Sequence, residues 1–362
     1  MNRDQILNGR TQQALHSLFL HVEGLQTKQI KNGSMGKGNK TSVSEFVLLG
    51  FSDHPHLQLL ISVTIFLVFL MSVLGNFMFL MLVCADPHLQ KPMYFFLGNL
   101  SFLDIGNTSV TLSTLLHSVM TGDTRISFSV CMAQLYFFLS FTGIEIFLLA
   151  AMAYDRYIAI CDPLRYVVIM NKRACVLLTS ASWILGFMNV ISHTFLTSQL
   201  SFCRGNEIDH FFCELTVLMK LSCSDISNIE IILFSQGVFV SFIPFGLTLT
   251  SYIYIISNIL KIHSAKGRHK AFSTCSSHLT IVTLFYGTLI FVYLRPTSVH
   301  SPGQDKLFSL LYTALIPMLN PFIYSLRNED VRKALIKYLP MNHKNSCLNL
   351  FLMCKTAFYT QK

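Results

Sequence analysis

Charge is what this sequence most clearly lacks. Only 12% of its 362 residues are charged, whereas 52% are hydrophobic and the mean hydropathy is +0.51. Soluble domains carry about 25% charged residues. A soluble protein of roughly one to three domains, as is usual at this length, is therefore excluded. Several apolar runs reach the roughly 20 residues that a helix needs to cross a bilayer. The sequence therefore predicts an all-α membrane protein. The net charge of +9 is spread over the loops and does not indicate nucleic-acid binding.

An apolar run of signal-peptide length is also missing from the start of the chain. The early patch "LFLHV" at 18–22 is shorter than the roughly 7–15 residues of a signal-peptide core, so we expect the first transmembrane helix to direct insertion. Residues 1–56 are polar, which predicts a mostly disordered segment. A complete short N-terminus would begin at Met35, which makes 1–34 a candidate alternative-start extension.

Seven apolar segments predict a seven-transmembrane helix bundle over residues 57–327. The connections at 84–92, 162–172 and 263–269 are short and basic, and the connections on the other side carry mixed charge. An excess of Lys and Arg marks the cytoplasmic side, so we expect the N-terminus outside and the tail, 328–362, inside. The predicted spans are 57–83, 93–118, 129–161, 173–196, 228–262, 270–295 and 304–327.

The chain after the last span begins with an amphipathic stretch. In "EDVRKAL", 329–335, Val331, Ala334 and Leu335 share one helical face, which predicts a short eighth helix on the inner leaflet. Further on, Cys347 and Cys354 are candidate palmitoylation sites. An unmodified tail is the plainer alternative.

Two N-x-S/T sequons lie in the N-terminal segment, at Asn32 and Asn39. The predicted topology places this segment outside, where glycosylation occurs. Of the two, we expect Asn39 to be glycosylated.

Four of the ten cysteines fall on the predicted outer side: Cys131, Cys203, Cys213 and Cys223. An oxidising lumen favours disulfides there, and four cysteines allow three pairings that the sequence alone does not decide. The stretch "HFFCE" at 210–214 also brings together residue types that bind Cu or Zn. A disulfide at Cys213 would remove the thiolate that such a metal needs, so we expect no metal there.

Two acidic residues lie in the middle of predicted spans, Asp104 in the second and Glu145 in the third, with Asn76 and Asn320 at similar depth. Such groups are costly in a bilayer and usually face the bundle interior. The two carboxylates could hold Na⁺ or share a proton. The plainer alternative is a pair of neutral, hydrogen-bonded acids that pack the helices, and a proton-relay transporter would need a longer chain of such groups.

The seventh predicted span carries two prolines. Pro317 and Pro321 each remove an intrahelical hydrogen bond. We expect Asn320 and nearby water to satisfy the freed carbonyl groups. This pattern predicts a locally weakened helix that can change shape.

Several longer motifs follow one another between about residues 40 and 335. They are "GN" at 75–76, "PMYFFLGNLSFLD" at 92–104, "MAYDRYIAICDPLRY" at 152–166, "SY" at 251–252, "KAFSTCSSHL" at 270–279, "FYG" at 285–287 and "PMLNPFIYSLRN" at 317–328. In this order they resemble the olfactory (odorant) receptor family of rhodopsin-like G-protein-coupled receptors. The three longest strings are very specific, whereas a bare Asp-Arg-Tyr would be weak.

The resemblance implies a G-protein switch at Asp155, Arg156 and Tyr157. Arg156, held by Asp155 at rest, would be released toward Tyr252 and a G-protein tail on activation. A helix-end charge that snorkels to the interface would explain Arg156 alone but not the surrounding match. The motif in the seventh span adds Asn320, Pro321 and Tyr324 to the switch.

Two further sites follow from the resemblance. The first is a pair of disulfides, Cys131 with Cys213 and Cys203 with Cys223. The second is a mid-membrane polar cluster that can hold Na⁺, made of Asn76, Asp104, Glu145 and Asn320.

We expect the odorant pocket in the outer half of the bundle, between the third, fifth, sixth and seventh spans. Helical spacing gives it an apolar lining with a few hydroxyls and one amide, as small-molecule pockets tend to have, and no Lys or Arg. This favours a neutral, hydrophobic, volatile ligand over an acid or an amine. By the resemblance, Tyr286 stands where most rhodopsin-like receptors have Trp, and no Pro follows within the sixth span. An activation account that borrows a proline kink there does not transfer to this chain. The predicted lining is Phe138, Leu139, Thr142, Gln236, Val240, Tyr286, Leu289, Tyr293 and Thr313.

The family implies a multi-pass plasma-membrane receptor that couples odorant binding to a heterotrimeric G protein of the stimulatory class and to cyclic AMP, with no cofactor and no enzymatic activity. Its other partners are membrane lipid and, as an open question, a trafficking accessory protein. A retinal protein would need a Lys deep in the seventh span, a transporter would show internal repeats, and an enzyme would need a reactive constellation in a pocket. A receptor-like protein that no longer signals would look nearly the same.

Overall fold

The computed structural model describes residues 43–51, 58–293 and 302–338. Within these ranges, seven long helices follow the seven predicted spans to within a few residues. A bilayer offers the backbone no hydrogen-bond partners, so apolar runs of this length form helices. The first six spans are Gln58–Ala85, Pro92–Thr121, Phe128–Cys161, Lys172–Ser198, Ser227–Leu260 and Ala265–Tyr293, and the seventh runs from Pro302–Leu310 through Leu311–Leu315 into Ile316–Arg327.

The fifth and seventh spans each contain a π-helical turn. These turns are Val238–Phe242 and Leu311–Leu315. A π turn inserted in an α-helix frequently marks a functional position. Pro321 lies inside the helix that follows the second of them, so the predicted weakening of the seventh span falls close to a second irregularity.

The second span differs from its neighbours in composition. By length and composition, five described helices are apolar enough to cross a membrane, and the sixth span holds a shorter apolar stretch, Cys275–Phe291. The second span, although long, is not among them. Five of its polar side chains are buried and face the bundle interior, so hydropathy alone undercounts the spans. The buried polar residues are Ser101, Asp104, Asn107, Thr108 and Thr111.

The third and fourth spans approach closely at Gly186. A Cβ atom at this position would clash with Cγ1 of Ile144 and would lie 3.1 Å from the carbonyl oxygen of Ser140. Small residues at such crossings let membrane helices come into backbone contact. A larger residue at Gly186 would therefore push the two spans apart.

Three short strands cover one end of the bundle, which we call the disulfide end. Strand β1 (Glu45–Leu48) pairs antiparallel with β2 (Arg125–Ser127) and parallel with β3 (Glu207–Ile208). Phe46 and Leu48 are buried beneath this sheet. The prediction of a mostly disordered N-terminal segment is therefore wrong for β1, because two distant loops supply partners that the local sequence does not reveal.

The eighth helix, Glu329–Tyr338, lies at the other end of the bundle, which we call the Arg156 end. Val331 and Ala334 are buried and Leu335 is partly buried, as the predicted amphipathic face requires. Asp330 accepts from Lys91 Nζ at 2.6 Å, which ties the eighth helix to the loop before the second span. The tail beyond residue 338, with Cys347 and Cys354, lies outside the described residues.

Candidate functional site

Asp155 and Arg156 lie in the last turns of the third span. Asp155 is fully buried and the Arg156 side chain is 11% exposed. Nε of Arg156 donates to Oδ2 of Asp155 at 2.9 Å, and Nη2 donates to the same oxygen. The hydroxyl of Tyr166 donates to Oδ1 at 2.9 Å. Both carboxylate oxygens are therefore occupied, and Arg156 is held in a buried ion pair.

Tyr252, toward which Arg156 is expected to move, has a partner on the sixth span. Its hydroxyl is hydrogen-bonded to Nδ1 of His278, and the two rings stack with their centroids 5.8 Å apart. Sequence reasoning gave His278 no role, because a lone His in an apolar run carries no signal of a partner on another helix. Tyr157 packs edge-on against Tyr254, with centroids 6.0 Å apart.

The backbone carbonyl that Pro321 leaves unbonded in the seventh span accepts a hydrogen bond from a side chain of the first span. Pro321 has no N–H to donate to the carbonyl of Pro317, four residues earlier. Nδ2 of Asn76 donates to that carbonyl at 2.8 Å. The expectation that Asn320 would do so is wrong, because Nδ2 of Asn320 donates instead to Oδ2 of Asp104 at 2.9 Å. The helix backbone at Tyr324 is described, but its side chain lies outside the described residues.

Asp104 and Glu145 are both buried in the middle of the bundle. Glu145 lies close enough to Asp104 for their charges to interact. Among the described residues, Oδ1 of Asn76, Oδ1 of Asn320 and Oγ of Ser101 are buried without a hydrogen-bond partner. Oxygen atoms of this kind suit a small hard cation or a shared proton. No group of three or more His, Cys, Asp or Glu side chains that could hold a metal occurs in the described part of the chain.

Two disulfides fix the long loop at the disulfide end. The structure joins Cys131 to Cys213 and Cys203 to Cys223, which are the pairings that the resemblance implies. Gln134 adds hydrogen bonds next to the first of them. Its Oε1 accepts from the backbone N–H of Cys213 at 2.8 Å, and its Nε2 donates to the carbonyl of residue 110 in the second span at 2.8 Å. Sequence reasoning missed Gln134, because nothing local indicates these partners.

The "HFFCE" stretch at 210–214, which we call the plug, fills the disulfide end of the bundle with buried side chains. Phe211 and Phe212 are fully buried, and the Phe212 ring packs edge-on against Phe138 with centroids 4.9 Å apart. Burial lowers the pKa of His210 to about 3 and raises the pKa of Glu214 to about 7. Nε2 of His210 lies 3.4 Å from Oε2 of Glu214. Both side chains therefore favour their neutral forms in this loop.

Lys306 is a buried lysine that links the seventh span to the long loop at the disulfide end. Nζ of Lys306 lies 2.5 Å from Oδ1 of Asp209, and the Lys306 side chain is almost fully buried. The ion pair joins the long loop to the seventh span. It also neutralises the Lys306 charge.

The predicted pocket residues divide into separate groups. Phe138 and Leu139 belong to the apolar cluster beneath the plug, with Tyr312 next to Phe138. Val240, Tyr286 and Leu289 belong to the larger central cluster. The side chain of Tyr293 lies outside the described residues.

The polar members of the predicted pocket have partners nearby. The hydroxyl of Thr142 donates to the carbonyl of Phe138 at 3.0 Å, within the third span. The hydroxyl of Thr313 donates to the carbonyl of Ser309 at 2.7 Å, within the seventh span. Nε2 of Gln236 donates to Oγ of Ser192 in the fourth span at 3.1 Å. The predicted hydroxyls and amide are therefore partly engaged within the protein itself.

Comparisons with known proteins agree with these features. The model of the olfactory receptor family matches residues 65–342. Olfactory receptor 5AR1 of Mus musculus is 49% identical over 84% of this chain and 98% of its own length, and olfactory receptor 5AR1 of Homo sapiens is 47% identical over 84% and 98%. The crystal structure of squid rhodopsin matches with a TM-score of 0.65 and 18% identity, covering 87% of this chain and 89% of that one, which shows the fold and confirms the predicted seven-transmembrane architecture. The chain therefore belongs to the olfactory receptor family of G-protein-coupled receptors, multi-pass plasma-membrane proteins that signal without enzymatic activity of their own.

Proposed function

We propose that this receptor binds a small, neutral, hydrophobic odorant in the disulfide half of the bundle and activates a stimulatory G protein, which raises cyclic AMP. The observation that carries the signalling part is the buried arrangement of Asp155, Arg156 and Tyr166. A charged pair that is shielded by burial and held by one further hydrogen bond can be shifted between two states by a bundle rearrangement. In the active state, Arg156 would instead meet the Tyr252–His278 pair.

The chemistry of the predicted pocket supports a neutral ligand. Its aliphatic and aromatic residues lie in apolar clusters, and the hydroxyls of Thr142 and Thr313 are engaged within their own helices. The nearby cation, Lys306, is paired with Asp209. An odorant carboxylate would have to break this pair to gain a partner, whereas an apolar ligand would not.

The mid-membrane polar cluster fits a supporting role. Asn320 bonds to Asp104, and Asn76 bonds to the carbonyl of Pro317. We assign Na⁺ or a shared proton to Asp104 and Glu145, where it would hold the weakened seventh span against the second and third spans. Loss of that ion or proton on activation would then free the seventh span to move.

The remaining assignments concern the two ends of the chain. The disulfide end and the N-terminal segment, 1–56, face the outside, and the eighth helix and tail, 328–362, face the cytoplasm. The receptor domain is 57–327. Asn39, the predicted glycosylation site, and 1–34, the candidate extension, lie outside the described residues. A trafficking accessory protein would act before any of these sites meets an odorant.

The test is cyclic AMP accumulation in cells that express the chain from Met1 or from Met35. A panel of neutral and charged odorants is applied, and surface protein is stained. Arg156→Ala should abolish a response to neutral odorants, whereas Arg165→Ala, an exposed arginine in the following loop, should preserve it.

Each part of the proposal can fail separately. A response only to acids would keep the receptor and overturn the pocket chemistry. Normal surface staining with silence across the panel would favour a receptor-like protein that does not signal. A response of Arg156→Ala equal to wild type would remove Arg156 from the switch.

A further inference from the structure

A cleft between the fifth and sixth spans shares Tyr286 with the predicted odorant pocket, and its other lining residues are not part of that pocket. Its volume is about 260 Å³, and its lining is mainly apolar, with Phe245, Leu249, Val282 and Ile290 among the residues. Leu249 is 50% exposed and Ile290 46% exposed. Exposed apolar side chains in the middle of a span face lipid, so the cleft opens toward the bilayer.

Four hydroxyl-bearing residues line the cleft. Tyr252 and Thr283 bond to His278 and to the carbonyl of Leu279, which leaves Thr248 and Tyr286. Thr248 is 1% exposed and Tyr286 is 5% exposed. They lie close enough to interact with each other, and neither hydroxyl has a hydrogen bond to any other group within the described part of the chain. Even when the two bond to each other, one of the two O–H donors lacks an acceptor. Leaving a buried hydroxyl unbonded costs about 1–3 kcal/mol. The two groups are therefore poised to bond a polar atom that enters the cleft.

Gly287 keeps the cleft open. A Cβ atom added at this position would meet no atom within 4 Å, although Gly287 lies on the cleft wall. Glycine in the middle of a helix is unfavourable by roughly 0.5–1 kcal/mol relative to Ala. Here it replaces a side chain that would fill the space next to Tyr286.

The cleft also reaches the switch. Tyr252 lines it, and the Tyr252 hydroxyl is bonded to His278. A molecule in the cleft would therefore contact both Tyr286 and Tyr252. It would act on the pair that is expected to receive Arg156.

We propose that this cleft is a second binding site, entered from the lipid, for a neutral amphiphile with a short apolar chain and one hydroxyl or carbonyl group. The polar group bonds to Thr248 and Tyr286, and the chain lies along the apolar wall. The cleft is larger than an apolar cavity of about 150 Å³ that holds benzene, so a medium-chain alcohol is of suitable size. The effect of this ligand on signalling rests on the proposed function, whereas its binding does not.

The binding test uses the full-length receptor in phospholipid vesicles and a medium-chain primary alcohol that carries a diazirine. After irradiation, labelled peptides are identified by mass spectrometry. Label should concentrate on 245–252 and 279–290 and should be displaced by excess unlabelled 1-octanol. Even labelling of every lipid-facing span, without displacement, would overturn the proposal and show that ordinary lipid contacts the cleft.

Two variants separate the cleft from the bilayer. Gly287→Leu should remove the displaceable label, because the new side chain fills the cleft. Gly246→Leu is the matched control, since a Cβ there also meets no atom within 4 Å and Gly246 is not part of the cleft wall. Equal labelling of both variants would overturn the assignment, and thermal unfolding checks that both are folded.

The polar half of the site has its own test. Thr248→Val should weaken labelling by the alcohol by about fivefold, the net effect of one hydrogen bond, and leave labelling by a diazirine alkane unchanged. An equal loss with both probes would show that Thr248 acts by shape alone. Basal cyclic AMP is then measured with and without 1-octanol. Displaceable labelling without a change in cyclic AMP would support the binding site but contradict its effect on the switch.

Discussion

The two ends of this receptor are held by different kinds of bond. At the disulfide end, two disulfides, a three-stranded sheet and the Gln134 bonds hold the long loop in place. At the Arg156 end, the contacts are an ion pair and hydrogen bonds between side chains. Covalent and backbone-paired structure resists rearrangement, whereas exchangeable polar pairs permit two arrangements of similar free energy. The comparison therefore suits the disulfide end to a fixed shape and the Arg156 end to the proposed switch.

The largest effect is expected from removing the disulfide between the third span and the loop. Cys131→Ser should lower the free energy of unfolding by about 2–5 kcal/mol. It should exceed the effect of Cys203→Ser by about 1 kcal/mol, because the first disulfide closes a separation of 82 residues and the second one of 20. Thermal unfolding of purified receptor measures this. Cys84→Ser, at an exposed free cysteine, is the control, and an equal or larger loss in Cys203→Ser would contradict the prediction.

The next effect concerns the resting state of the Arg156 end. Tyr166→Phe removes one hydrogen bond to the buried Asp155 carboxylate. Bonds to charged groups contribute about 1.5–3 kcal/mol, so the resting arrangement should lose about tenfold or more of its preference and basal cyclic AMP should rise. Tyr154→Phe, at an exposed position of the third span next to Asp155, should leave basal cyclic AMP unchanged. Unchanged basal signalling in Tyr166→Phe would mean that both states keep this bond.

A smaller effect is expected in the pH dependence of the loop. Glu214 has a folded pKa of about 7 against an ordinary value of 4.5, so it makes stability fall as pH rises from about 4.5 to about 7. His210 has a folded pKa of about 3 against 6.5, so it makes stability rise as pH rises from about 3 to about 6.5. The two slopes oppose each other between about pH 4.5 and 6.5. The charged groups next to His210 are Lys306 and Asp209.

Single substitutions should reveal how each of the two residues makes stability depend on pH. In thermal unfolding between pH 4.5 and 6.5, Glu214→Gln should become more stable as pH rises, and His210→Gln should become less stable. The wild type should change less than either. Parallel curves for all three proteins would show that the loop does not couple proton binding to folding.

The smallest effect is expected at the eighth helix. Nζ of Lys337 lies 3.3 Å from Oδ2 of Asp86, and the low pKa of Asp86, about 2, keeps this carboxylate charged at neutral pH through its bonds to His88 and the nearby Lys337. Solvent and salt screen a pair with an exposed lysine. Lys337→Gln should therefore leave unfolding temperature and cyclic AMP within measurement scatter. A loss as large as that of Tyr166→Phe would show that the eighth helix takes part in the switch.

The sequence predicts the helices well because hydrophobic length is a local property. The first span, for example, is predicted at 57–83 and observed at Gln58–Ala85. The amphipathic face of the eighth helix is local in the same sense. The family resemblance adds the cysteine pairings and the position of the switch, which composition and spacing leave open.

What the sequence does not reveal are partners brought together by folding. Strand β1 needs two strands from distant loops, and Gln134 bonds to Cys213 across 79 positions. His278 and Tyr252 lie on different spans, so neither indicates the other. Asn76 takes the role at Pro317 that was expected of Asn320, since only the packing of the first span against the seventh decides which amide is closer.

The polar face of the second span has a consequence for how this receptor is made. Polar and acidic residues at the centre of a helix oppose its transfer from the translocon into lipid. The first and third spans are apolar, and the buried polar residues of the second face inward. We therefore expect the second span to leave the translocon together with its neighbours rather than alone. During synthesis, the second span would then stay at the translocon until the third span has emerged to cover Asp104.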